Sequence, residues 1–462
     1  MFNGAKSIHL IGIGGYGMSA LAKLLLEMGY QVSGSDLTPS DITRHLTEMG
    51  AEIFFGHSEE HVEGRDLFVY STAIPAENTE LQAARRQGTV LHRSELLAEF
   101  LNSHKGIAVS GAHGKTTTTT MLAQIMETAR LDPTALIGGE IKSFSGTAKL
   151  GKSEYLIAEA DESDESFARY QPWIAVITNI EPDHLEHYDG DFSRLLKGYG
   201  RFLHNVYPEG FAIVPEGDEW FKQIRHHGRC QILTFGYEGG DYAARNQKLL
   251  PRGSEFSLYR RDEHLADIRL AVPGRHNVLN ATAAAAVALE LGVSVEAVVT
   301  ALGKFQAAKR RFQVLADGDI LIVDDYAHHP TEVKATLEAA RRAGSGRVIA
   351  IFQPHRYTRT QYFMDEFATA FNDADIVILD EIYAASEKPL PGISSARLAE
   401  AMAAQHEGVV LQISGFEKIV AHVQEQCQPG DLIITMGAGD IWKVSHELAK
   451  NWHCGLQGNK TH

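Results

Sequence analysis

Short apolar stretches alternate with amphipathic helical stretches from the start of the chain. Residues 8–13 and 32–35 predict strands, and residues 18–28 between them predict a helix. A strand at 67–70 and a helix at 78–87 repeat the pattern. Such alternation is typical of βαβ units built around a parallel sheet.

The same alternation restarts twice, near residues 106 and 320. The second segment predicts strands at 107–110, 155–158 and 174–178 and helices at 116–129 and 280–291. The third predicts strands at 320–323, 348–352, 376–379 and 432–435, with helices at 332–342 and 365–371. In residues 210–273 the apolar positions show no clear helical or strand periodicity. We therefore predict an α/β protein of three domains, residues 1–104, 105–313 and 314–462.

The composition of the chain argues against several classes of function. The 462 residues carry a net charge of −16, which disfavours general nucleic-acid binding and docking on anionic membranes. The three cysteines, Cys230, Cys427 and Cys454, form no CxxC pair, which disfavours a disulfide framework or a cysteine zinc site. With neither a signal-like start nor a long apolar run, the expected compartment is the cytoplasm.

A glycine-rich loop follows the strand at 107–110 and precedes a helix. Its residues are Gly111, Ala112, His113, Gly114, Lys115, Thr116 and Thr117. Glycines allow backbone N–H groups to surround phosphate oxygens, a lysine neutralises the β- and γ-phosphates, and a hydroxyl coordinates Mg²⁺. The loop is shorter than the common P-loop, but its position between strand and helix predicts ATP binding.

Acidic side chains follow the strand at 155–158: Glu159, Asp161, Glu162, Asp164 and Glu165. Carboxylates at this edge of a parallel sheet suit a hard cation, and Glu159 is the favoured ligand. For Asp164 and Glu165 a solvated loop is the favoured interpretation. Asp183 and His184 follow the next strand in the same way and are predicted beside the same cation, with His184 as the candidate ligand.

A second glycine motif, Gly12-x-Gly14-Gly15-x-Gly17, follows the first strand, and Asp36 ends the next one. This spacing matches a dinucleotide fingerprint. The motif indicates a diphosphate at a helix N-terminus and a hydroxyl near an acid. Both NAD and a UDP-linked sugar satisfy that description. A tight βα turn that binds no ligand is the alternative interpretation.

Further candidates follow the later strands. Asn277 and Asn280 lie three residues apart on one helix and could bind a base, although helix capping also explains Asn277. Arg310 and Arg311 lie at the second predicted domain boundary and could reach a phosphate. The third domain adds Asp325, Tyr326, His328, His329, Arg356 and Arg359 at the carboxyl ends of its strands. For His329 and Arg359, a structural role in the core or on the surface is the alternative to ligand binding.

Taken together, these motifs resemble the Mur ligase family. The matching stretches include HLIGIGGYGMS at 9–19, SGAHGKTTTT at 110–119, EADESD at 159–164 and TNIEPDH at 178–184. GRHNVLN at 274–280, RRFQ at 310–313, DDYAHHPTEV at 324–333 and FQPHRYTR at 352–359 continue the resemblance. Among Mur ligases, the combination of the first glycine motif with the last two stretches points to the member that adds L-alanine to UDP-N-acetylmuramate.

The resemblance implies an N-terminal Rossmann-like domain for the UDP-sugar, a P-loop ATPase-like central domain and a C-terminal Rossmann-like domain for the amino acid. The cofactors implied are ATP and Mg²⁺, and the protein is expected to be a monomer or homodimer. The implied UDP-sugar contacts are Gly12, Gly14, Gly15, Gly17, Asp36 and Ser71. The implied catalytic residues are Lys115, Glu159, His184, Arg311 and His328.

By the same resemblance, Thr116, Glu159 and His184 are metal ligands, and residues 111–117 with Asn277, Asn280 and Asp325 bind ATP. Tyr326, His328, Arg356 and Arg359 are candidates for the amino-acid pocket. Alternatives are a ligase that attaches a recycled tripeptide to the same UDP-sugar, a folylpolyglutamate synthase, a nucleotide-binding module without chemistry, and an NAD-dependent dehydrogenase fused to an ATPase.

Overall fold

The structure, a computed structural model, describes residues 4–458 except 142, 143, 145, 164 and 386. Three sheets with flanking helices confirm the predicted α/β class. Two compact units can be distinguished: Met1–Arg245 with Ser257–Asp267 and Leu279–Ala308, and Asn246–Phe256 with Ile268–Val278 and Lys309–His462. Within the described residues, no helix is both long and apolar enough to cross a bilayer.

The N-terminal sheet has five parallel strands in the order β3-β2-β1-β4-β5. The strands are β1 (Ser7–Ile11), β2 (Gln31–Asp36), β3 (Glu52–Phe55), β4 (Leu67–Tyr70) and β5 (Thr89–His92). The helices are α1 (Tyr16–Glu27), α2 (Asp41–Glu48), α3 (Thr79–Gln87) and α4 (Arg93–Asn102). All of β1 is buried, as expected for a parallel strand covered on both faces.

The central sheet has ten strands in the order β15-β14-β13-β12-β11-β10-β6-β9-β7-β8. They are β6 (Lys105–Ser110), β7 (Thr134–Ile141), β8 (Gly146–Lys149), β9 (Tyr155–Glu159), β10 (Ile174–Ile177), β11 (Phe211–Pro215), β12 (Gln231–Gly236), β13 (Tyr242–Leu250), β14 (Gly253–Arg260) and β15 (Glu263–Leu270). The helices are α5 (Lys115–Thr128), α6 (Phe192–His204), α7 (Glu219–Ile224), α8 (Arg275–Glu290) and α9 (Val295–Gly303). Strands β6, β9 and β10 are parallel neighbours, so their carboxyl ends share one edge.

The C-terminal sheet has the order β16-β17-β21-β18-β19-β20. Its strands are β16 (Gln313–Asp317), β17 (Leu321–Asp325), β18 (Val348–Phe352), β19 (Ile376–Leu379), β20 (Val409–Gln412) and β21 (Leu432–Met436). The helices are α10 (Pro330–Ala343), α11 (Tyr357–Tyr362), α12 (Met364–Ala370), α13 (Ser395–Ala403), α14 (Phe416–Gln426) and α15 (Trp442–Gly458). Strand β16 pairs antiparallel with β17, while the other pairings are parallel.

The structure also contains strands that the pattern of apolar residues did not predict. The β7–β8 hairpin is antiparallel, and β11 to β15 occupy much of the segment that showed no clear period. Most positions of β13 and β15 are partly or fully exposed, and the buried positions of β14 include Gly253, Ser254 and Ser257. These strands therefore lack the continuous apolar run by which the buried parallel strands were recognised.

A buried carboxylate organises the N-terminal sheet. Helix α3 places Glu80 in the core, where the residue is fully buried. His9 Nε2 on β1 lies 2.9 Å from Glu80 Oε1, and His61 Nδ1 lies 3.1 Å from the same oxygen. Glu80 Oε2 accepts from Ser35 Oγ at 2.6 Å, with His57 Nδ1 also at 2.6 Å. Burial opposes ionisation of Glu80, but the bonds from His9, Ser35 and His57 outweigh burial and lower its pKa.

We predict that Glu80→Gln lowers the free energy of unfolding at pH 7 by about 2 to 4 kcal/mol, because an amide cannot replace every bond to the buried carboxylate. A lowered folded-state pKa means that the stabilisation is present above the unfolded-state pKa, roughly 4.3, and is lost as the pH falls through the folded-state value. Urea unfolding at several pH values measures this. Exposed Glu77→Gln is the control; equal stability of the two variants at pH 7 would contradict the prediction.

Candidate active site

The phosphate loop joins β6 to α5, as the sequence predicts. Its two glycines have positive φ angles, +133° at Gly111 and +81° at Gly114, in the region that favours glycine. A Cβ on Gly111 would lie 2.0 Å from Thr178 Oγ1, and one on Gly114 would lie 2.4 Å from Asn280 Oδ1. The loop therefore requires glycine for both its backbone conformation and its close contacts. Lys115, Thr116 and Thr117 begin helix α5.

The segment after β10 holds the loop from one side. Thr178 Oγ1 donates to the carbonyl of His113 at 2.5 Å, and Asn179 Nδ2 donates to the same oxygen at 2.9 Å. Asn179 Oδ1 accepts from the His113 N–H at 2.9 Å, and His113 Nε2 lies 3.2 Å from Glu181 Oε2. The polar residues after β10 therefore fix the loop backbone, a role that the sequence did not assign to them.

Lys115 makes an ion pair with Glu162. Its Nζ donates to the two carboxylate oxygens at 3.0 and 2.7 Å, and also to the carbonyls of Gly111 and Ala112 at 2.6 and 3.2 Å. The Glu162 side chain is only 2% exposed, so this charge is almost entirely removed from water. In this conformation the lysine folds back on its own loop, and a nucleotide phosphate must compete with Glu162 for the ammonium.

The charges around Lys115 are strongly coupled. Burial opposes the charge on Lys115, but Glu162, Asp161 and Glu159 outweigh it and raise the lysine pKa. Burial raises the pKa of Glu162 despite the nearby ammonium. Burial also opposes ionisation of Asp161, yet Arg93, Lys115 and His184 hold its pKa far below the usual range. The site therefore brings several charges close together, and the Glu162 carboxylate among them is almost entirely removed from water.

Two predicted metal ligands lie together. Thr116 Oγ1 donates to Glu159 Oε2 at 3.2 Å, and Glu159 Oε1 accepts from the Gly138 N–H at 2.6 Å. His184 lies on the segment after β10, where it influences the pKa of Asp161 and Glu162, and its own N–H donates to Asp183 Oδ1 at 2.8 Å. Asp164 lies outside the described residues. Glu165, predicted to lie in a solvated loop, is held between two arginines.

Arg93 connects the N-terminal glycine motif to the acidic segment. It begins α4, its Nη2 donates to Asp161 Oδ2 at 3.1 Å, and its Nη1 lies 3.1 Å from where a Cβ on Gly17 would be. The side chain is 24% exposed. A guanidinium that is paired with Asp161 therefore lies beside the helix N-terminus predicted to bind a diphosphate, a feature that the sequence did not indicate.

The N-terminal motif has the predicted turn geometry. Gly12 has a φ of +81°, and its N–H donates to Ser35 O at 2.8 Å. Asp36 Oδ2 accepts from the Gly14 N–H at 2.8 Å, and the other carboxylate oxygen accepts from the Leu37 N–H. Asp36 thus binds the glycine loop itself in this structure. Gly15 precedes α1 as its N-cap, Gly17 is inside the helix, and Ser71 follows β4.

The asparagines of α8 make local contacts. Asn280 Oδ1 accepts from Thr118 Oγ1 at 3.3 Å and lies against Gly114, beside the phosphate loop. Asn277 Nδ2 donates to the carbonyl of Pro273 at 2.6 Å. This bond fastens the start of the helix, so part of the role of Asn277 is structural; adenine recognition by either residue stays a prediction.

Arg310 and Arg311, the two predicted phosphate-binding arginines, make different contacts beside the C-terminal sheet. Arg310 donates to Asp324 Oδ2 at 3.0 Å and to the carbonyls of Gly439 and Gly437 at 3.0 and 2.5 Å. The guanidinium carbon of Arg311 lies 5.2 Å from the centre of the Tyr326 ring. Arg310 therefore anchors the segment, which leaves Arg311 as the better placed of the two to bind a ligand.

Asp325 is buried beneath that segment. Its carboxylate accepts from the backbone N–H groups of Phe312 and Ala327 at 2.6 and 2.8 Å and from Thr336 Oγ1 at 3.3 Å. Burial raises its pKa to about 6, against the opposing effect of Arg311 and the two N–H groups. In this structure Asp325 orders the 310–312 turn, and the ribose contact stays a prediction.

Two candidates for the amino-acid pocket, Tyr326 and His328, belong to an aromatic row at the carboxyl edge of the C-terminal sheet. The rings of Tyr326 and His328 are 5.4 Å apart, those of His328 and His355 are 5.9 Å apart, and His355 stacks on Tyr383 at 5.6 Å. Arg356 has a φ of +69°, and Arg359 is buried one turn along. His355 and Tyr383 were not predicted for this site.

His329 is structural in this conformation. Its side chain accepts from the Thr331 N–H at the start of α10, and its ring packs against Phe363 at 4.4 Å. The residue is 4% exposed. Of the two interpretations of this histidine, these contacts favour a structural role in the core over ligand binding.

Three family models match successive parts of the chain. The one described as Mur ligase family, catalytic domain, matches residues 7–105, the Mur ligase middle domain matches 109–288, and the Mur ligase glutamate ligase domain matches 310–439. The UDP-N-acetylmuramate–L-alanine ligase of Symbiobacterium thermophilum is 47% identical over 456 residues, covering 96% of this chain and 94% of that protein. This chain belongs to the Mur ligase family.

Further relatives of this Mur ligase also carry the names of ligases of this family. The protein of the same name from Pelotomaculum thermopropionicum is 45% identical, covering 96% of this chain and 97% of its own. Among solved structures, UDP-N-acetylmuramate–alanine ligase from Thermotoga maritima has a TM-score of 0.84 at 28% identity, covering 97% and 99% of the two chains. A murein peptide ligase from Psychrobacter arcticus has a TM-score of 0.72 at 27% identity, covering 99% and 100%. The resemblance drawn from the motifs is therefore confirmed.

We predict that Glu162→Gln makes the thermal stabilisation by ATP larger than in the wild type. The variant lacks the carboxylate that competes with phosphate for Lys115, and its nucleotide-free form is less stable because a buried ammonium has lost its partner. Thermal unfolding with and without ATP measures the shift. The control is Glu154→Gln, which removes the exposed ion pair of Glu154 with Lys105. A shift smaller than the wild-type shift would show that Glu162 helps to bind the nucleotide instead.

Proposed function

We propose that this Mur ligase joins L-alanine to the lactyl carboxylate of UDP-N-acetylmuramate, with cleavage of ATP to ADP and phosphate. The observation that carries the choice of substrates is the match, over nearly the full chain, to relatives named for this reaction at 42 to 47% identity. The geometry that supports phosphoryl transfer is the glycine loop with Lys115 at the start of α5 and the Thr116–Glu159 pair beside it.

The first step makes an acyl phosphate. An oxygen of the lactyl carboxylate attacks the γ-phosphorus of ATP, the bond from that phosphorus to the ADP oxygen breaks, and ADP leaves. Backbone N–H groups of the loop bind the phosphates, and Lys115 moves from Glu162 to the transferring group to neutralise the charge that spreads over it. Arg311, which is not anchored as Arg310 is, is our candidate for a second cation at the γ-phosphate.

The oxygen ligands fit Mg²⁺. The Thr116 hydroxyl and the Glu159 carboxylate lie 3.2 Å apart, and the Gly138 N–H fixes the carboxylate. Oxygen donors of this kind suit a hard divalent cation, and we propose His184 as a further ligand. When bound, Mg²⁺ would neutralise phosphate oxygens and lower the repulsion met by the attacking carboxylate.

The second step forms the amide. The L-alanine nitrogen attacks the acyl carbon, a tetrahedral intermediate collapses, the carbon–oxygen bond to phosphate breaks, and the amine loses a proton. We propose that Tyr326, His328, Arg356 and Arg359 hold the amino acid. A guanidinium suits its carboxylate, and His328, whose Nδ1 is 2.9 Å from the Tyr326 carbonyl, has the chemistry to take up the proton.

The remaining assignments are also proposals. We assign the UDP diphosphate to the glycine motif at residues 12–17 with Ser71, the adenine to Asn277 and Asn280, and the ribose to Asp325. We place the domain boundaries at residues 104 and 313 and the enzyme in the cytoplasm, as a monomer or homodimer. Because three substrates must meet at one carboxylate, domain closure during the cycle is expected.

A substrate panel for ADP release tests the proposal. We expect continuous release only when ATP, Mg²⁺, UDP-N-acetylmuramate and L-alanine are all present, because without L-alanine the reaction stops at the acyl phosphate after one ADP per enzyme. EDTA and Lys115→Ala should each abolish it. Faster turnover with L-alanyl-γ-D-glutamyl-meso-diaminopimelate than with L-alanine would instead identify a murein peptide ligase. ADP release that neither acceptor stimulates would refute ligase activity altogether.

A further inference from the structure

The buried carboxylate of Glu80 connects three parts of the N-terminal sheet near its carboxyl edge. It contacts His9 on β1, Ser35 on β2 and His57, two residues beyond the end of β3. Ser35 is the last residue but one of β2, so its bond to the carboxylate lies next to the end of that strand. Displacing a buried carboxylate is costly when it leaves hydrogen bonds unmade. The carboxylate therefore fixes where β2 ends.

The end of β2 in turn holds the glycine turn after β1. The carbonyl of Ser35 accepts from the N–H groups of Gly12 and Ile13 at 2.8 and 2.9 Å. The next residue, Asp36, accepts from the Gly14 N–H through its carboxylate at 2.8 Å. Three consecutive N–H groups of the turn are thus bonded to two consecutive residues of β2. The shape of the turn depends on the position of these two residues.

The contacts form a continuous path from α3 to the N-terminus of α1. The side chain of Ser35 bonds to Glu80, and the backbone of Ser35 bonds to the turn that leads into α1. A diphosphate at a helix N-terminus is bound mainly by backbone N–H groups, whose bonds weaken quickly when distance or angle changes. Four of the six residues 12–17 are glycines and have no side chain that could compensate for a displaced turn.

We propose that Glu80 and Ser35 are positioning residues for the UDP-sugar. The carboxylate holds the Ser35 hydroxyl, and Ser35 holds the glycine turn in the conformation that binds the diphosphate. The inference rests on the proposed assignment of the diphosphate to residues 12–17. Both residues act through the turn, so they determine the affinity for UDP-N-acetylmuramate and have no part in phosphoryl transfer at the phosphate loop. A purely structural role would lower stability without this selective effect on affinity.

Two serines of β2 provide a matched pair of variants. Ser35→Ala removes the hydroxyl that bonds to Glu80. Ser33→Ala removes a hydroxyl that is equally buried and lies 2.9 Å from Nδ1 of His9, which belongs to the same cluster. Ser33 pairs with His9 inside the sheet, away from the glycine turn. The two substitutions therefore delete the same group from the same strand, but only the first breaks the path to the turn.

Calorimetric titration of the full-length chain with UDP-N-acetylmuramate, without ATP and L-alanine, measures the effect. Ser35→Ala should weaken binding by about fivefold, which is the effect expected from one lost hydrogen bond. Ser33→Ala should leave the affinity unchanged. In steady-state assays, Ser35→Ala should raise the KM for UDP-N-acetylmuramate by the same factor and leave kcat and the KM for ATP as they are in the wild type. Circular dichroism checks that each variant is folded at the assay temperature.

Equal affinities of the two serine variants, or a loss confined to kcat, would overturn the positioning role. Glu80→Gln, assayed where it is folded, should weaken binding in the same direction as Ser35→Ala, and unchanged affinity would also contradict the proposal. Binding that is sensitive to Ser35→Ala, without ADP release in the presence of L-alanine, would support the positioning role and refute the proposed function. Normal ligase turnover with equal affinities of the serine variants would do the reverse.

Discussion

The ion pair of Lys115 with Glu162 is the interaction on which the central site depends. A buried ammonium is costly unless an acid lies within reach, and here one carboxylate contacts it through both oxygens. The pair can form because β6 and β9 are parallel neighbours, so the loop after one strand and the acidic segment after the other leave the sheet at the same edge. The topology of the sheet therefore determines which charges meet.

The same edge also rigidifies the loop. Thr178 and Asn179 follow β10, on the other side of β6, and bind the backbone of His113, while Asn280 fills the space left by Gly114. A loop held in this way presents its N–H groups without reorganisation when phosphate arrives, which is the condition for effective electrostatic stabilisation. Lys115 is the member that must move, since its ammonium now contacts Glu162 and two carbonyls of its own loop.

Much of the fold was predictable because buried parallel strands have a simple signature. Leu67–Tyr70 and Val348–Phe352 were predicted to the residue, and the loops after the parallel strands lie where the sequence indicated. The half-exposed strands Tyr242–Leu250 and Glu263–Leu270 were missed, since their side chains follow no continuous apolar run. Glu162 could not be distinguished from its acidic neighbours, because which of them faces Lys115 depends on how the chain turns after β9. The contacts of Asp36 and Asp325 could not be predicted from the sequence either. An acidic residue after a strand can accept hydrogen bonds from the neighbouring backbone instead of binding a ligand.

Transfer of oxygen from the acceptor carboxylate to phosphate tests the proposed chemistry most directly. UDP-N-acetylmuramate labelled with ¹⁸O in both lactyl carboxylate oxygens would be converted with L-alanine and ATP, and the released phosphate analysed by mass spectrometry. An acyl phosphate intermediate predicts that one labelled oxygen appears in each phosphate and the other remains in the amide product. Phosphate without label, formed together with the amide, would contradict attack of the carboxylate on ATP.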